Sequence, residues 1–171
     1  CGGSKVEKEA IGVAAEALEK AKTTKCRLLL PKDLVVADAF SADAKTLITT
    51  VEQIPKGWMG LDIGPATSAA FVNEIQRART IFWNGPMGAF EMEPFSSGTR
   101  TVAEAIASAE ALTVSGGGDT VAAINRYGLA DRLDHVSTGG GAAMDFLEGK
   151  ELPGIAVFED ACAQRRPSDR R

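Results

Sequence analysis

The sequence has few of the residues that build metal and nucleophile sites. It contains one histidine and three cysteines in 171 residues, and the cysteines are far apart, with no CxxC pair. This leaves too few imidazole and thiolate ligands for a zinc site. The odd number of cysteines and the absence of a signal-peptide pattern at the first residues predict a reducing, cytoplasmic setting.

Long apolar runs and a strong net charge are also missing. The apolar runs, such as residues 28–31 and 34–37, are strand-length and far shorter than the roughly 20 residues of a membrane-spanning helix. Lys and Arg number 19 against 23 Asp and Glu, a formal net charge of −4. This balance gives no general attraction to nucleic acid or anionic lipid. With 44% hydrophobic residues, the chain is expected to be soluble and globular, with neither membrane nor nucleic acid as a partner.

Three common site motifs are absent. A G-x-x-x-x-G-K-[ST] match would indicate a P-loop, and G-x-G-x-x-G a dinucleotide fold, but neither occurs. Without the second motif, a dinucleotide-dependent oxidoreductase is disfavoured. There is no G-x-S-x-G elbow, and the single histidine, His135, begins a predicted strand. Nucleophilic catalysis by a Ser/His/Asp triad is therefore disfavoured as well.

Helical and strand-like stretches alternate along the chain. Apolar spacings of three and four predict a helix over residues 5–24, and short apolar runs predict strands over 27–30 and 34–40. Residues 41–56, which are polar around a β-branched stretch at 46–51, are expected to form a surface hairpin or loop. Three helix–strand units follow, and then a final helix: 66–79 with 80–83, 98–109 with 112–114, 120–127 with 135–137, and 142–147. This alternation predicts an α/β fold, a three-layer Rossmann-like parallel sheet of about four strands with helices on both faces.

Glycine is common, at 18 positions, and three glycine clusters each follow a predicted strand. They lie at residues 84–88, 116–118 and 139–141. The carboxyl ends of parallel strands share one edge of a sheet, so these loops are expected to line one crevice. Glycine permits close backbone approach, and a helix that starts directly after it presents free N–H groups to an anion. The three loops together predict a phosphate-binding edge.

Two polar residues follow the second glycine cluster directly. Asp119 is either a first-turn residue stabilised by the helix dipole or a ligand of Mg²⁺, which takes one or two carboxylates beside nucleotide phosphates. Thr120 can bond a phosphate oxygen or only its own turn. The residues themselves leave both alternatives open.

Other residues near the strand ends are open to two interpretations in the same way. Asn84 and Glu91 are of types common in turns and at surfaces, but at a nucleotide-binding edge they can bond ribose hydroxyls. Phe40 and the segment 58–61 are core residues by default, yet an adenine pocket needs such flat apolar walls. Their sequence context does not decide between these uses.

Four segments, in this order, resemble the signatures of phosphoglycerate kinases: residues 57–65 (GWMGLDIGP), 83–91 (WNGPMGAFE), 116–120 (GGGDT) and 135–142 (HVSTGGGA). The resemblance runs from about residue 4 to about Val157. It is with the latter part of the family's C-terminal, nucleotide-binding domain. Two departures are Ala66, where the family often has lysine, and Ala89, where valine is common.

The resemblance implies a role for each matched residue. The nucleotide-binding residues would be Phe40, Gly60 and Leu61 at the adenine, Asn84, Pro86 and Glu91 along the ribose and the adenine slot, and Gly117, Gly118, Asp119 and Thr120 at the phosphates. Asp119 would hold Mg²⁺. The backbone of Gly117 and Gly140 would lie beside the transferred phosphoryl group, as catalytic positions.

The family transfers a phosphoryl group reversibly between 1,3-bisphosphoglycerate and ADP, in glycolysis. The resemblance places the 3-phosphoglycerate site in an N-terminal domain without a counterpart here. The first βαβ unit of the nucleotide domain, with its Gly-Gly-Ala-Lys stretch, is unmatched too. Residues 2–5 (GGSK) look similar to that stretch, but residues 2–31 match a later segment of the family, from Gly-Lys-Ser to Leu-Leu-Leu-Pro, better and without gaps. The isolated chain is therefore expected to be inactive. The alternative is a non-catalytic nucleotide-binding or interaction module derived from that domain.

The chain is expected to divide into a nucleotide-binding part over residues 1–163 and a basic tail over residues 164–171. The tail has four arginines and no apolar face. Such charge blocks at a terminus usually remain solvated, so we predict disorder there.

Overall fold

The computed structural model describes the backbone of residues 2–164 and the side chains of residues 2–158. This part of the chain forms six α-helices and two three-stranded sheets. The helices are α1 Ile11–Thr23, α2 Pro65–Ile75, α3 Ser97–Ala107, α4 Gly118–Arg126, α5 Gly140–Leu147 and α6 Pro153–Gln164. The strands are β1 Asp33–Ala37, β2 Thr46–Thr50, β3 Met59–Ile63, β4 Thr80–Asn84, β5 Leu112–Gly116 and β6 His135–Ser137. None of these helices is long and apolar enough to cross a membrane.

One of the sheets is parallel, with the order β4-β5-β6. Its buried side chains pack with those of α3 and α4 in the main core cluster, which includes Trp83, Phe90, Val102, Ile106 and Ile124. Helices link its strands, as a parallel sheet requires. The predicted α/β class is confirmed, with three parallel strands where about four were expected.

The other sheet is antiparallel, with the order β2-β1-β3. The segment 41–56, expected to be a surface hairpin or loop, contributes a hairpin strand, because β2 pairs with β1 from Asp33 opposite Thr50 to Ala37 opposite Thr46. The assumption that every strand joins one parallel sheet was wrong. A chain that reverses in a short loop can pair only antiparallel, since a parallel pairing needs a long crossover. β3 was not predicted as a strand because Gly60 and Asp62 have low strand propensity.

The strand predicted at residues 27–30 was wrong. The backbone there has no regular structure, and the side chains of Leu28, Leu29 and Leu30 are exposed. A strand is stable only when a neighbour satisfies its N–H and C=O groups. No described strand pairs with this segment.

Some helix boundaries also differ from those predicted. The first α-helix begins at Ile11, after a 3₁₀ turn at Lys8–Ala10, rather than at residue 5. A helix that the sequence analysis did not predict, α6, begins with Pro153, a residue favoured in a first helical turn. It ends at Gln164, the first residue of the predicted tail. The rest of that tail, residues 165–171, lies outside the described residues.

A side chain from another element fixes the start of α2. The N-cap residue, Gly64, has no side chain with which to cap the helix. The Asp33 carboxylate on β1 accepts hydrogen bonds instead from the N–H groups of Ala66 at 3.0 Å and Thr67 at 2.7 Å, and from the Thr67 hydroxyl at 2.6 Å. Burial alone would raise the pKa of Asp33, but these hydrogen bonds outweigh it and the pKa is lowered.

Replacing this cap should cost stability in a pH-dependent way. We expect Asp33→Ala to lower the free energy of unfolding at pH 7 by about 1–2 kcal/mol, the usual effect of losing a helix cap. Since the pKa of Asp33 is lower in the folded state, its contribution is complete above the unfolded value of about 3.9 and is lost as the pH falls through the folded value. Urea unfolding at pH 7 and pH 3 measures this. Asp43→Ala, an exposed loop substitution, is the control, and a loss equal at both pH values would contradict the prediction.

Candidate functional site

Three glycine-containing loops meet at the carboxyl edge of the parallel sheet. Asn84 at the end of β4 is paired with Gly116 at the end of β5, and Gly116 with Ser137 at the end of β6. The N–H of Gly117 donates to the carbonyl of Ser137 at 3.1 Å. The structure therefore brings the three predicted loops together at one edge.

The contact between these loops leaves no room for side chains. A Cβ on Gly140 would lie 2.8 Å from the Cα of Gly117 and 3.3 Å from the Asn84 Oδ1. Gly117 also has φ +98°, a backbone conformation that other residues rarely adopt. A larger residue at Gly140 would press on the backbone at the start of α4, and one at Gly117 would press on the Asn84 side chain.

The first turn of α4 is a candidate anion site. Its N-cap is Gly117, and no side chain caps the helix. Gly118 and Asp119 are exposed there, so N–H groups and one carboxylate lie together at the positive end of a helix dipole. The side chain of Asp119 is not the N-cap of this helix.

The hydroxyl of Thr120 is directed into the protein. Thr120 is fully buried, and its Oγ1 accepts a hydrogen bond from the N–H of Gly85 at 2.7 Å. Its side chain therefore ties α4 to the loop after β4. At the first turn of α4, Thr120 can offer a ligand its backbone N–H.

The segment 84–91, which we call the nucleotide loop after the role that the sequence resemblance implies for it, directs its backbone inward. Its N–H groups donate to acceptors behind it: Gly85 to Thr120, Met87 and Gly88 to the Thr99 hydroxyl, and Ala89 to the carbonyl of Leu61. Asn84 and Glu91 are exposed and Pro86 is half-buried. The side chains of this loop, rather than its backbone N–H groups, can therefore contact a ligand.

The predicted adenine residues lie on and beside the antiparallel sheet. Gly60 and Leu61 are half-buried on β3, and the carbonyl of Leu61 accepts the N–H of Ala89 at 2.8 Å. This bond joins them to the nucleotide loop. Phe40 lies just beyond β1 and is 67% exposed. Among the described hydrogen bonds, none joins Phe40 to the three loops.

The described residues hold no preformed metal cage. No group of three or more His, Cys, Asp or Glu side chains among them could hold a metal ion. Mg²⁺ in nucleotide sites uses one or two carboxylates, with phosphate oxygens and waters as the remaining ligands. The exposed carboxylate of Asp119 beside the free end of α4 fits that requirement.

Two buried polar residues next to the site were not identified from the sequence, Asp62 on β3 and Thr99 on α3. Burial raises the pKa of Asp62, while hydrogen bonds from the N–H groups of Gly98 and Ile63 oppose that rise. A carboxylate between apolar neighbours in a strand was a usable signal, because a buried charge must have partners. The only sequence signal for Thr99 is its position in the first turn of a helix.

Comparison with known proteins identifies the family of this chain. A family model described as phosphoglycerate kinase matches residues 1–150. The chain belongs to the phosphoglycerate kinase family. It is 53% identical over 158 residues to the phosphoglycerate kinase of Desulforapulum autotrophicum, and 55% identical over 163 residues to that of Chloroherpeton thalassium. These alignments cover 92% and 94% of the chain, respectively.

Solved structures of phosphoglycerate kinases have the same fold. The structure from Coxiella burnetii superposes with a TM-score of 0.87 at 44% identity, over 91% of this chain and 40% of that one. The structure from Pyrococcus horikoshii gives a TM-score of 0.75 at 31% identity, over 89% and 37%. The chain spans about 40% of the length of the curated relatives it matches.

Proposed function

We propose that this chain supplies part of the Mg-ADP/ATP site of a phosphoglycerate kinase, which interconverts ATP and 3-phosphoglycerate with ADP and 1,3-bisphosphoglycerate. The observation that carries the proposal is the meeting of three glycine loops at the open first turn of α4 in a member of this family. As a glycolytic enzyme it would act in the cytoplasm. The 3-phosphoglycerate site would lie in an N-terminal domain, as the resemblance implies.

The nucleotide would lie across the carboxyl edge of the parallel sheet. The phosphates would accept hydrogen bonds from the N–H groups of Gly118, Asp119 and Thr120, where the helix dipole favours negative charge. The ribose hydroxyls would lie along the nucleotide loop, within reach of Asn84 and Glu91.

The adenine would lie on the apolar side of this edge. Gly60 and Leu61 form one wall and Pro86 continues it. Phe40 would cover the ring, and its exposure leaves it accessible for this contact.

Phosphoryl transfer between a carboxyl oxygen and a phosphate oxygen needs no covalent intermediate. One P–O bond breaks as the other forms, so the protein contributes positioning and charge stabilisation. The glycines at 117 and 140 allow the starts of α4 and α5 to lie close together, so that both helix starts would face the transferred group. We assign the catalytic positions to these two residues for that reason.

Asp119 is the residue that would hold Mg²⁺. The ion, when bound, neutralises phosphate charge that develops during transfer. The role of the protein is to keep the carboxylate beside the free N–H groups, so that cation and phosphates bind together.

Removing this carboxylate should weaken metal-dependent binding selectively. In the full-length protein that carries these residues, we expect Asp119→Ala to weaken Mg·ADP binding about tenfold or more, since the loss of even an outer-shell partner of a bound metal costs that much. Binding of ADP without metal should change less, because the backbone N–H groups remain. Calorimetric titrations with and without Mg²⁺ measure both.

The control for this experiment is Asp131→Ala, an exposed aspartate in the 3₁₀ turn Ala130–Arg132 before β6, at the opposite edge of the sheet. It should leave both affinities unchanged. Equal losses for Asp119→Ala with and without Mg²⁺ would show that Asp119 acts on the helix and not on a metal.

A further inference from the structure

Two buried acceptors lie behind the nucleotide loop and take no part in the ligand contacts proposed above. Thr99 in the first turn of α3 is 0% exposed, and Asp62 on β3 is 2% exposed. Both side chains are polar, so each needs hydrogen-bond partners in the interior. Their partners are backbone N–H groups of the loop, of the helix that supports it and of β3.

Thr99 holds the centre of the nucleotide loop. Its Oγ1 accepts hydrogen bonds from two consecutive N–H groups, of Met87 at 3.1 Å and Gly88 at 3.3 Å. The residue before them, Pro86, has no N–H to donate. The hydroxyl therefore fixes the direction of the chain immediately after the proposed wall of the adenine site.

Asp62 holds the start of the helix that carries Thr99. One carboxylate oxygen accepts the N–H of Gly98 at 2.7 Å, and the other accepts the N–H of Ile63 at 2.8 Å. The loop also packs directly on this carboxylate, because a Cβ on Gly88 would lie 2.5 Å from the Asp62 Oδ1. β3, α3 and the nucleotide loop thus meet at one buried side chain.

We propose that Thr99 is a positioning residue for nucleotide binding, which sets the nucleotide loop so that Asn84, Pro86 and Glu91 face the ligand. Asp62 assists by fixing the first turn of α3. This inference rests on the proposed function, since it assumes that the loop contacts a nucleotide. It adds a residue that touches no ligand and acts through the backbone of the loop.

The test compares Mg·ADP affinity with stability in the full-length protein that carries these residues. Thr99→Val keeps the shape of the side chain but cannot accept the two N–H groups. We expect it to weaken Mg·ADP binding about threefold to tenfold, the range that corresponds to one net hydrogen bond. Thr99→Ser keeps the hydroxyl and should restore the affinity.

The matched control is Thr67→Val. Thr67 is 1% exposed, and its hydroxyl accepts the N–H groups of Lys32 at 2.9 Å and Asp33 at 3.1 Å, at the start of α2 rather than behind the loop. Thr67→Val should lower the free energy of unfolding and leave Mg·ADP affinity unchanged. This comparison separates the general effect of losing a buried hydroxyl from the effect of displacing the nucleotide loop. Thr99→Ala and Thr67→Ala, which add no bulk, replace the valine variants if either fails to fold.

Each outcome of this test either supports or overturns the inference about Thr99. Weaker binding by the Thr99 variant, recovery with serine and unchanged binding by the Thr67 variant support the inference. Equal affinity of the folded Thr99 variant and the unsubstituted protein overturns it, while the proposed function stands. An unsubstituted protein that does not bind Mg·ADP overturns the proposed function and this inference with it.

Discussion

A polypeptide of these 171 residues alone should show no measurable turnover of ATP with 3-phosphoglycerate. The chain spans about 40% of the length of its relatives, and the resemblance places the phosphoglycerate site outside it. Holding both reactants in line is worth effective molarities of roughly 10⁵–10⁸ M, so a chain that positions only the nucleotide loses nearly all of the catalysis. A coupled assay with 3-phosphoglycerate and ATP measures this.

The controls for this assay separate an inactive chain from a failed measurement. The full-length phosphoglycerate kinase of Coxiella burnetii, whose fold this chain shares, serves as the positive control. Calorimetry with Mg·ADP on the same preparation shows whether the nucleotide part is formed. Turnover above the blank that Asp119→Ala abolishes would contradict the prediction, since it would place a complete active centre within this chain.

The part of the fold that could be predicted best from the sequence is the part with local signals. In β4 and β5, short apolar runs follow amphipathic helices, and the glycine clusters follow at the strand ends. Each signal lies within a few residues of the feature it indicates. Strand β3 of the antiparallel sheet lacks such signals, because it contains Gly60 and Asp62 and depends on pairing with β1.

The part of the site that could not be predicted depends on contacts between distant segments. The Thr120 hydroxyl bonds to Gly85, 35 positions away, and Asp62 bonds to Gly98, 36 positions away. Nothing near Thr120 in the sequence indicates that its hydroxyl points into the protein. Local patterns therefore locate the glycine loops but not which distant residues the buried acceptors bond to.

Apolar surface on this chain should make it associate or unfold easily when it is isolated. β4 pairs with β5 on one side, and no described strand pairs with its other edge. Beside that edge lies an apolar groove formed by side chains of residues 29, 71, 81, 82, 87, 102 and 106. An open strand edge next to an apolar groove is a typical site of self-association.

The exposed leucines before β1 are further apolar surface on the chain. Leu28 is 50% exposed and Leu30 is 57% exposed. Substituting both with lysine should reduce association, since charge at such a surface opposes it. Gln53→Lys with Gln76→Lys, at two exposed polar positions, adds the same charge without removing apolar surface and should leave association unchanged.

The expected size of the effect follows from the small stability of ordinary domains. A complete domain is stable by only about 5–15 kcal/mol, and each 100 Å² of apolar surface left uncovered forgoes roughly 2.5 kcal/mol. We therefore expect concentration-dependent association in analytical ultracentrifugation and a broad thermal transition below about 45 °C, the lower end of the usual range. A monomer with a sharp, reversible transition above about 60 °C would contradict this, because it would mean that the open edge and groove cost the chain little.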